Sequence, residues 1–390
     1  MIKSYNEWDT LREVFVGNIE NANNPIHGKD LHCINYADRD NIDEVTEGYY
    51  PGQVIEETKE DLEELVSTLK SFRVTVKRPT TQDNSKPFLS NGEWMSDGYY
   101  NYCPRDSVVV IGDTIIESPM ALRSRYFETF SFRDEFIDYM KKGTRWVSAP
   151  KPRLTNDCYQ RENLDELTLT EVEPIFDAAN ILRCNNDILY LLSNTGNKLG
   201  AQWLQNFLGN KYRVHILENM YSYSHLDSTM ALLREGLCLL NPDRVNEDNM
   251  PELLKSWDKI WCPEMVDIGY YGDFNNASVW IGINLLSSVQ PNDFKQRLIS
   301  GEVKLLTSLP GIGPKTAKRI IIELKDKFIT TDKNDMPIED NQEGSSDAYF
   351  ALVNLGYKST EVKNILNKLN AENKELNTEQ QIKYVLQKIR

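Results

Sequence analysis

Short apolar segments that end in turn residues recur along the first part of the chain. Each is bounded by Gly, Asn, Asp or Ser, which is typical of a buried strand followed by a tight turn. Two stretches between them carry apolar residues at helical spacing, at Glu56–Ser71 and Leu199–Leu208. The pattern therefore predicts an α/β fold. The five strand segments are Arg12–Asn18, Ser107–Asp113, Asp187–Asn194, Gly236–Asp243 and Ser278–Ser287.

The similarity of these five segments leaves two architectures open. Internally repeated units favour a radial arrangement, in which each strand-and-turn segment belongs to one blade. An ordinary α/β sheet produces the same alternation of strands and helices. Both architectures fit the periodicity.

Beyond Asn292 the pattern changes to short helices. Apolar positions at helical spacing predict three of them before residue 329, separated by glycine turns. A polar, acidic stretch without an apolar face predicts a flexible linker, and three further amphipathic segments predict a small helical domain. The predicted domains are therefore 1–291, 292–329, the linker 330–345, and 346–390.

Charge is distributed unevenly between these parts. Residues 292–390 hold 16 basic and 14 acidic side chains, and residues 1–291 hold the remaining 28 basic and 45 acidic ones, so the net charges are +2 and -17. The acidic first part is a poor general nucleic-acid binder, because duplex phosphates repel it. The second part has a local basic cluster at Lys315, Lys318 and Arg319.

The N-terminus and the cysteines predict a cytoplasmic protein without a membrane span. The first ten residues lack the apolar core of a signal peptide. No apolar run approaches the roughly 18 residues of a membrane helix. The six cysteines show neither CxxC pairs nor zinc-type spacing, so we expect reduced thiols and no metal site.

Three carboxylates and one histidine are the candidate chemistry of the first part. Asp177 ends an apolar run, where a carboxylate can fix the tautomer of a histidine and raise its basicity. His225 and Asp227 are two residues apart and face the same way in an extended segment. Together with Asp106 they would suit a planar guanidinium, which carboxylates bind bidentately. The alternative is a set of surface carboxylates and a histidine that caps a strand.

Four segments carry a family resemblance: PRDSVVVIGDTIIESPMALRSRYFE, EPIFDAANILR, HLDSTMALLREGLCLLNPDRV and ASVWIGINLL. In this order, over roughly residues 5–291, they resemble the amidinotransferase family. The resemblance implies a five-bladed α/β propeller and no metal or organic cofactor. It also implies transfer of the amidino group from arginine to an amine acceptor such as glycine or an inosamine phosphate. In such enzymes a cysteine thiolate attacks the guanidinium carbon, ornithine departs, and the acceptor amine then attacks the amidino-cysteine.

The resemblance also implies a role for each matching residue. His225 would be the general acid and base, and Asp177 its orienting partner. Asp106 and Asp227 would clamp the guanidinium group. The remaining implied contacts are Arg244 of NPDR to the amino acid carboxylate, and Tyr100 and Ser278 as lining of the donor pocket.

The resemblance ends near Pro291, before the nucleophile. The family carries its cysteine in a glycine-rich, GGGFHC-like segment, and residues 292–390 contain none. The last blade is therefore incomplete, and we expect the amidino transfer to be lost. Cys103 and Cys184 lie close in sequence to Asp106 and Asp177. Since a nucleophile must be placed to within about an ångström, we expect both to be core residues instead.

The segment LPGIGPKTAKRI predicts a hairpin that opens a helix. Its two glycines permit a tight turn and let backbone N–H groups approach a phosphate in front of the helix N-terminus. The alternative is a structural glycine turn between two helices. The candidate DNA-contacting residues are Gly311, Ile312, Gly313, Lys315 and Thr316.

With its surroundings and the later ALVNLGYKSTEV, this segment resembles RuvA, the Holliday-junction branch-migration protein, over roughly residues 293–390. The resemblance implies an all-α helix-hairpin-helix segment followed by a small three-helix domain. It implies weak, salt-sensitive contact with the DNA backbone and docking of a RuvB-type motor ATPase. Candidate docking residues are Ala351, Leu352, Leu355 and Tyr357.

Two hypotheses follow, and a third is that the Asp106–Asp227 clamp still binds arginine without turning it over. In the first, an amidinotransferase scaffold has lost its nucleophile and carries a RuvA tail, through natural fusion or through two coding regions joined by a deletion, frameshift or assembly error. Each family is cut inside a structural unit, whereas domain boundaries fall in linkers, which favours the join. In the second, the chain is a DNA-repair-related binding protein that uses the tail. Both parent families form oligomers, so an oligomer is compatible with either hypothesis.

Overall fold

A computed structural model describes residues 2–37, 39–90, 92–161, 166–221 and 223–262, with Ile365, Tyr384 and Lys388. The chain divides into two compact units, Met1–Phe328 and Ile329–Arg390, and the fold below concerns the first. Several predictions lie outside the described residues: the strand Ser278–Ser287 with Ser278, the hairpin residues Gly311, Ile312, Gly313, Lys315 and Thr316, and the linker and three-helix domain.

Three sheets with the same strand arrangement form the body of this unit. In each, an antiparallel hairpin is joined by a third strand that runs parallel to the second strand of the hairpin. The first sheet unit contains Val108–Ile111, Thr114–Glu117 and Arg145–Ser148. The second contains Ile181–Cys184, Asp187–Leu191 and Arg213–Leu217. The third contains Met230–Arg234, Leu237–Leu240 and Asp258–Trp261.

A crossover connection leads to the third strand of each sheet unit, because parallel neighbours cannot be joined by a tight turn. Helix Arg133–Lys141 lies in the first connection and helix Lys198–Leu208 in the second. The second helix begins where the Asn197 side chain accepts a hydrogen bond from the Gly200 N–H, and it ends at Gly209, whose φ is positive. The third connection holds the short 3-10 turn Glu252–Leu254.

The N-terminal segment adds a parallel strand pair, Glu13–Phe15 with Thr75–Lys77, around helix Gly52–Ser71. Two small hairpins and two short helices complete the regular structure before the first sheet unit. They are Asn23–Asn24 with Gly48–Tyr49, Phe88–Ser90 with Trp94–Ser96, Lys29–Asn35 and Pro104–Ser107. The 3-10 turns elsewhere are Ile42–Glu44, Arg123–Arg125, Glu128–Phe132, Asn156–Cys158, Ala178–Asn180, Gly209–Lys211 and Leu226–Ser228.

Adjacent sheet units pack their apolar faces against each other. Val109 and Ile116 of the first unit share a buried cluster with Ile181 and Tyr190 of the second. A second cluster joins the second unit to the third through Leu182, Leu189, Leu191, Met230, Leu232 and Leu240. The strands are thus buried on both faces, and this explains their near-continuous apolar runs.

The α/β class and both predicted helices are confirmed, and the four described strand segments each contain a strand. The first segment differs from the others, because Glu13–Phe15 pairs only with the distant strand Thr75–Lys77. The three equivalent sheet units agree with an internally repeated fold. Closure into a five-bladed ring stays a prediction.

Candidate active site

A short helical turn stands before the first strand of every sheet unit, and each turn carries a buried aspartate. Asp106 lies in Pro104–Ser107, Asp177 precedes Ala178–Asn180, and Asp227 lies in Leu226–Ser228. The turns occupy equivalent positions in three equivalent units, so the repeat itself gathers the acids at one end of the sheets. The internal repeat therefore explains why the three predicted carboxylates lie close together.

His225 lies between two of these acids. Its Nε2 is 3.0 Å from Asp177 Oδ2, and its Nδ1 is 3.5 Å from Asp106 Oδ1. The other oxygen of Asp177 accepts a hydrogen bond from the Ala121 N–H at 3.1 Å, which fixes the carboxylate. Burial opposes the charged imidazolium, but the two carboxylates outweigh it and raise the pKa of His225 to about 9. The histidine is therefore a cation at neutral pH.

Asp106 is held ionised by cations on both of its oxygens. Arg125 Nη1 donates to Asp106 Oδ2 at 2.8 Å, while His225 faces Oδ1. Burial raises the pKa of the Asp106 carboxyl, but His225 and Arg125 more than offset it and hold the pKa below its ordinary value. Arg125 is itself fixed by Glu128, to which Nε and Nη2 donate at 2.5 and 2.8 Å.

Asp227 differs from Asp106, because the pKa of its carboxyl is raised and not lowered. Its Oδ2 lies 3.6 Å from Arg105 Nε, whereas its buried Oδ1 has no hydrogen-bond partner among the described residues. Burial raises the pKa of Asp227 to about 6, against the lowering effect of Arg105 and His225. A buried carboxylate oxygen without a donor is costly.

Tyr100 and Arg244 lie beside this set. The Tyr100 ring contacts the tilted rings of Tyr99 and Tyr102, and the Arg125 guanidinium lies 4.9 Å from its centroid. Tyr100 also lines a cavity of about 210 Å³ with Asn101, Ser124 and Glu128.

Arg244 is held by the turn that carries Asp227. Its Nη1 donates to Ser228 Oγ at 2.9 Å and to Thr229 Oγ1 at 3.2 Å, and its guanidinium stacks 3.4 Å from the Tyr221 ring centroid. The stacking fixes the plane of the guanidinium, which can therefore present a fork of donors to a carboxylate.

The cysteines nearest in sequence to the acids are poor nucleophiles. Burial raises the pKa of the Cys103 thiol well above its ordinary value, and Asp106 adds to the effect. Burial also raises the pKa of Cys184 to about 12, at the end of strand Ile181–Cys184 within the apolar cluster that joins two sheet units. Both thiols are therefore protonated at neutral pH.

Asn180 has a structural role that an acidic side chain could not fill. Its Nδ2 donates to the Thr195 carbonyl at 2.8 Å and to Thr195 Oγ1 at 3.0 Å, while its Oδ1 accepts from Ser193. A carboxylate at this position would face the Thr195 carbonyl without a donor. The amide is accordingly matched to its surroundings.

Sequence reasoning missed the cations around the acids. Arg125 and Glu128 are three residues apart in RSRYFE, a spacing at which opposite charges meet in a helical turn, so a local signal existed. The partners of Arg105 and Arg183 gave no such signal, because the contact between Glu7 and Arg183 joins residues 176 positions apart.

The described residues contain neither a metal-binding cluster nor a membrane-spanning helix. No group of three or more His, Cys, Asp or Glu side chains there is arranged to hold a metal ion. No helix in those residues is long and apolar enough to cross a membrane.

Comparison with known proteins identifies similar sequences for both parts of the chain. Over 287 residues it is 47% identical to inosamine-phosphate amidinotransferase 1 of Streptomyces glaucescens, a match that covers 73% of this chain and 82% of that protein. Over 292 residues it is 35% identical to the L-arginine:L-lysine amidinotransferase of Pseudomonas savastanoi pv. phaseolicola, covering 73% and 80%.

A solved structure of inosamine-phosphate amidinotransferase from Streptomyces griseus superposes with a TM-score of 0.70 at 46% identity, covering 73% of this chain and 82% of that one. An amidinotransferase from the saxitoxin biosynthetic pathway of Microseira wollei gives a TM-score of 0.63 at 35% identity, with the same coverage. In the C-terminal part, the SAM-like helix-hairpin-helix tandem family matches residues 283–326, and the family RuvA, C-terminal domain, matches residues 343–390.

Proposed function

Since the chain belongs to the amidinotransferase family in its N-terminal part and continues into a RuvA-type C-terminus, we propose that residues 1–291 bind the guanidinium group of arginine without transferring its amidino group. Asp227 Oδ1 carries this proposal, because this buried carboxylate oxygen has no hydrogen-bond partner among the described residues and a guanidinium N–H would supply one. Asp106 supplies the second carboxylate, and Arg244 the cation for the amino acid carboxylate.

The family reaction defines what is missing. A cysteine thiolate would form a bond to the guanidinium carbon, the bond from that carbon to the ornithine nitrogen would break, and a proton would go to the departing amine. His225 fits the last step, because its protonated form is favoured between Asp106 and Asp177. The first step lacks its nucleophile, because residues 292–390 contain no GGGFHC-like segment and the thiols of Cys103 and Cys184 are held protonated.

We propose that residues 1–291 form a five-bladed propeller whose last blade is incomplete. Three equivalent sheet units and the similarity to solved amidinotransferases support this architecture. The proposed boundaries remain those read from the sequence, at 291, 329 and 345.

The proposed acceptor class is an amine such as glycine or an inosamine phosphate, on the strength of similarity to inosamine-phosphate amidinotransferases. A cytoplasmic location and an oligomeric state stay predictions.

A turnover assay tests the inactivity. The full chain is incubated with guanidino-labelled arginine and either glycine or an aminocyclitol phosphate, and labelled product and ornithine are measured. We expect neither. Turnover that disappears in Cys103→Ser or Cys184→Ser would overturn the proposal and identify the substitute nucleophile.

The alternative function is a repair-related binding protein, and the match of the RuvA C-terminal family to residues 343–390 favours it. It is tested on the full chain by binding to a RuvB-type ATPase, with Leu352→Glu as the variant and wild type as reference. Loss of binding in the variant supports the alternative, and no binding by the wild type removes it. DNA binding is measured at low and high salt, with Lys315→Ala expected to weaken it uniformly across sequences.

A further inference from the structure

Four side chains of alternating charge form a row that ends at Asp227. Arg105 Nε lies 3.6 Å from Asp227 Oδ2, and Arg105 Nη2 lies 3.9 Å from Glu7 Oε1. Glu7 in turn accepts hydrogen bonds on both oxygens from Arg183, each at 2.8 Å. The Asp227 and Glu7 side chains are 6% and 4% exposed, whereas those of Arg105 and Arg183 are 29% and 15% exposed, so the two acids are buried and the two cations partly reach solvent.

The row ties together four separate parts of the fold. Glu7 belongs to the N-terminal segment, Arg105 to the turn before the first sheet unit, Arg183 to the second unit and Asp227 to the turn before the third. Two of its members also reach backbone carbonyls of neighbouring units. Arg105 Nη2 donates to the Ile181 carbonyl at 2.8 Å, and Arg183 Nη1 to the Val110 carbonyl at 3.0 Å.

Arg105 gives the two oxygens of Asp227 different surroundings. Oδ2 has a cation 3.6 Å away, and Oδ1 has no hydrogen-bond partner among the described residues. The guanidinium of Arg105 is itself fixed by the Ile181 carbonyl, so its charge stays on the Oδ2 side of the carboxylate. A carboxylate without such a neighbour could rotate and neutralise itself by taking up a proton.

We propose that Arg105 is a positioning residue for guanidinium binding, keeping Asp227 ionised and leaving its Oδ1 for the ligand. This inference rests on the proposed binding of arginine at Asp106 and Asp227. It goes beyond that proposal, because neither Arg105 nor Glu7 is among the residues that would touch the ligand.

The proposal predicts how arginine binding depends on pH. The charged groups that face Asp227 are Arg105, His225, Asp106 and Glu7. Arginine is a cation at all accessible pH values, so it binds the ionised form of Asp227, and affinity should fall as pH drops through about 6. Removing the Arg105 charge should move this midpoint upward by about 1 to 3 pH units, the usual effect of an adjacent guanidinium on a carboxyl.

The test is calorimetric titration of the full chain with L-arginine between pH 5 and 8.5, for wild type, Arg105→Met and Arg105→Lys. We expect a higher midpoint in Arg105→Met and recovery towards wild type in Arg105→Lys. Identical midpoints in wild type and Arg105→Met would overturn the proposal. Absence of heat from the wild type would instead defeat the proposed arginine binding.

A second measurement needs no ligand and remains decisive if Arg105→Met fails to fold. The carboxyl carbon of Asp227 is followed by NMR in chain labelled with ¹³C-aspartate, and Asp227→Asn identifies its signal. We expect the Asp227 titration to lie at higher pH in Arg105→Gln, which keeps a polar side chain without the charge, than in wild type, and to stay close to wild type in Arg105→Lys. An unchanged titration in Arg105→Gln would show that the row only holds the fold together.

Discussion

His225 Nε2 and Asp177 Oδ2 lie 3.0 Å apart, in a pair that places the histidine at the meeting point of two sheet units. Asp177 cannot turn away, because its second oxygen is bonded to the Ala121 N–H. The pair is therefore fixed in geometry before any ligand arrives.

The charge of His225 should make stability depend on pH in a defined window. Its pKa in the folded protein is about 9, above the ordinary 6.5. Its stabilising contribution is therefore complete below about pH 6.5 and is lost as pH rises through 9, amounting to up to about 3 kcal/mol. Urea unfolding at pH 6.5 and 9.5, followed by tryptophan fluorescence, checks this. His225→Gln should lack the loss that wild type shows, and equal losses in both would contradict the assignment.

The two proposed guanidinium ligands should respond oppositely to neutralisation. Burial raises the pKa of Asp227 from its ordinary value of 3.8 to about 6. As the pH rises above 3.8, the ionised carboxylate therefore destabilises the folded protein relative to the unfolded chain. Asp227→Asn should therefore raise the free energy of unfolding at pH 7.5, by about 1 to 3 kcal/mol.

Asp106 provides the matched comparison. Its pKa is lowered and it pairs with Arg125, so Asp106→Asn should lower the free energy of unfolding. Both variants are measured by urea unfolding under the same conditions. Destabilisation by both substitutions would mean that Asp227 is a structural residue.

Arg125 should be among the most sensitive positions outside the ligand contacts. Arg125→Met leaves Asp106 and Glu128 as buried carboxylates without their shared cation, which should cost about 3 to 5 kcal/mol. The control is Lys59→Met, which removes an exposed ion pair with Glu56 and should cost at most about 1 kcal/mol. Thermal unfolding of both variants gives the comparison, and similar midpoints would contradict it.

Gly17 should be required for the path of the chain that leads to Asp106. A Cβ atom on Gly17 would overlap the backbone of Tyr102. Gly17→Ala should therefore destabilise the protein by about 1 to 3 kcal/mol. Gly52 offers the matched control, because it begins a helix with open space around it, and Gly52→Ala should leave stability unchanged or raise it by up to about 1 kcal/mol. Equal effects in urea unfolding would show that the close approach is unimportant.

How far the sequence could predict this fold is seen in single strands. Asp187–Leu191 and Leu237–Leu240 were predictable, because each is an apolar run closed by turn residues. Their hairpin partners Ile181–Cys184 and Met230–Arg234 lie directly after the turns that carry the acids. No separate polar boundary lies between these strands and the turns, so the sequence pattern does not mark where they begin. The parallel pairing of Glu13–Phe15 with Thr75–Lys77 depends on a contact between distant segments, which local pattern does not encode.

The site, like the fold, was predictable from the sequence only in part. The resemblance named Asp106, Asp177, His225 and Asp227, and the fold brings them to one end of three sheet units. Their catalytic roles stay predictions. The lowered pKa of Asp106 and the raised pKa of Asp227 were not predictable, because the first depends on His225 and Arg125 beside the carboxylate and the second on burial that Arg105 and His225 do not offset.

The most direct test of the account is calorimetric titration of L-arginine into the full chain and into Asp227→Asn at pH 7.5. The account predicts saturable heat for the wild type without release of ornithine, and no heat for the variant. No heat from the wild type, or equal heat from both proteins, would contradict a guanidinium site built around Asp227.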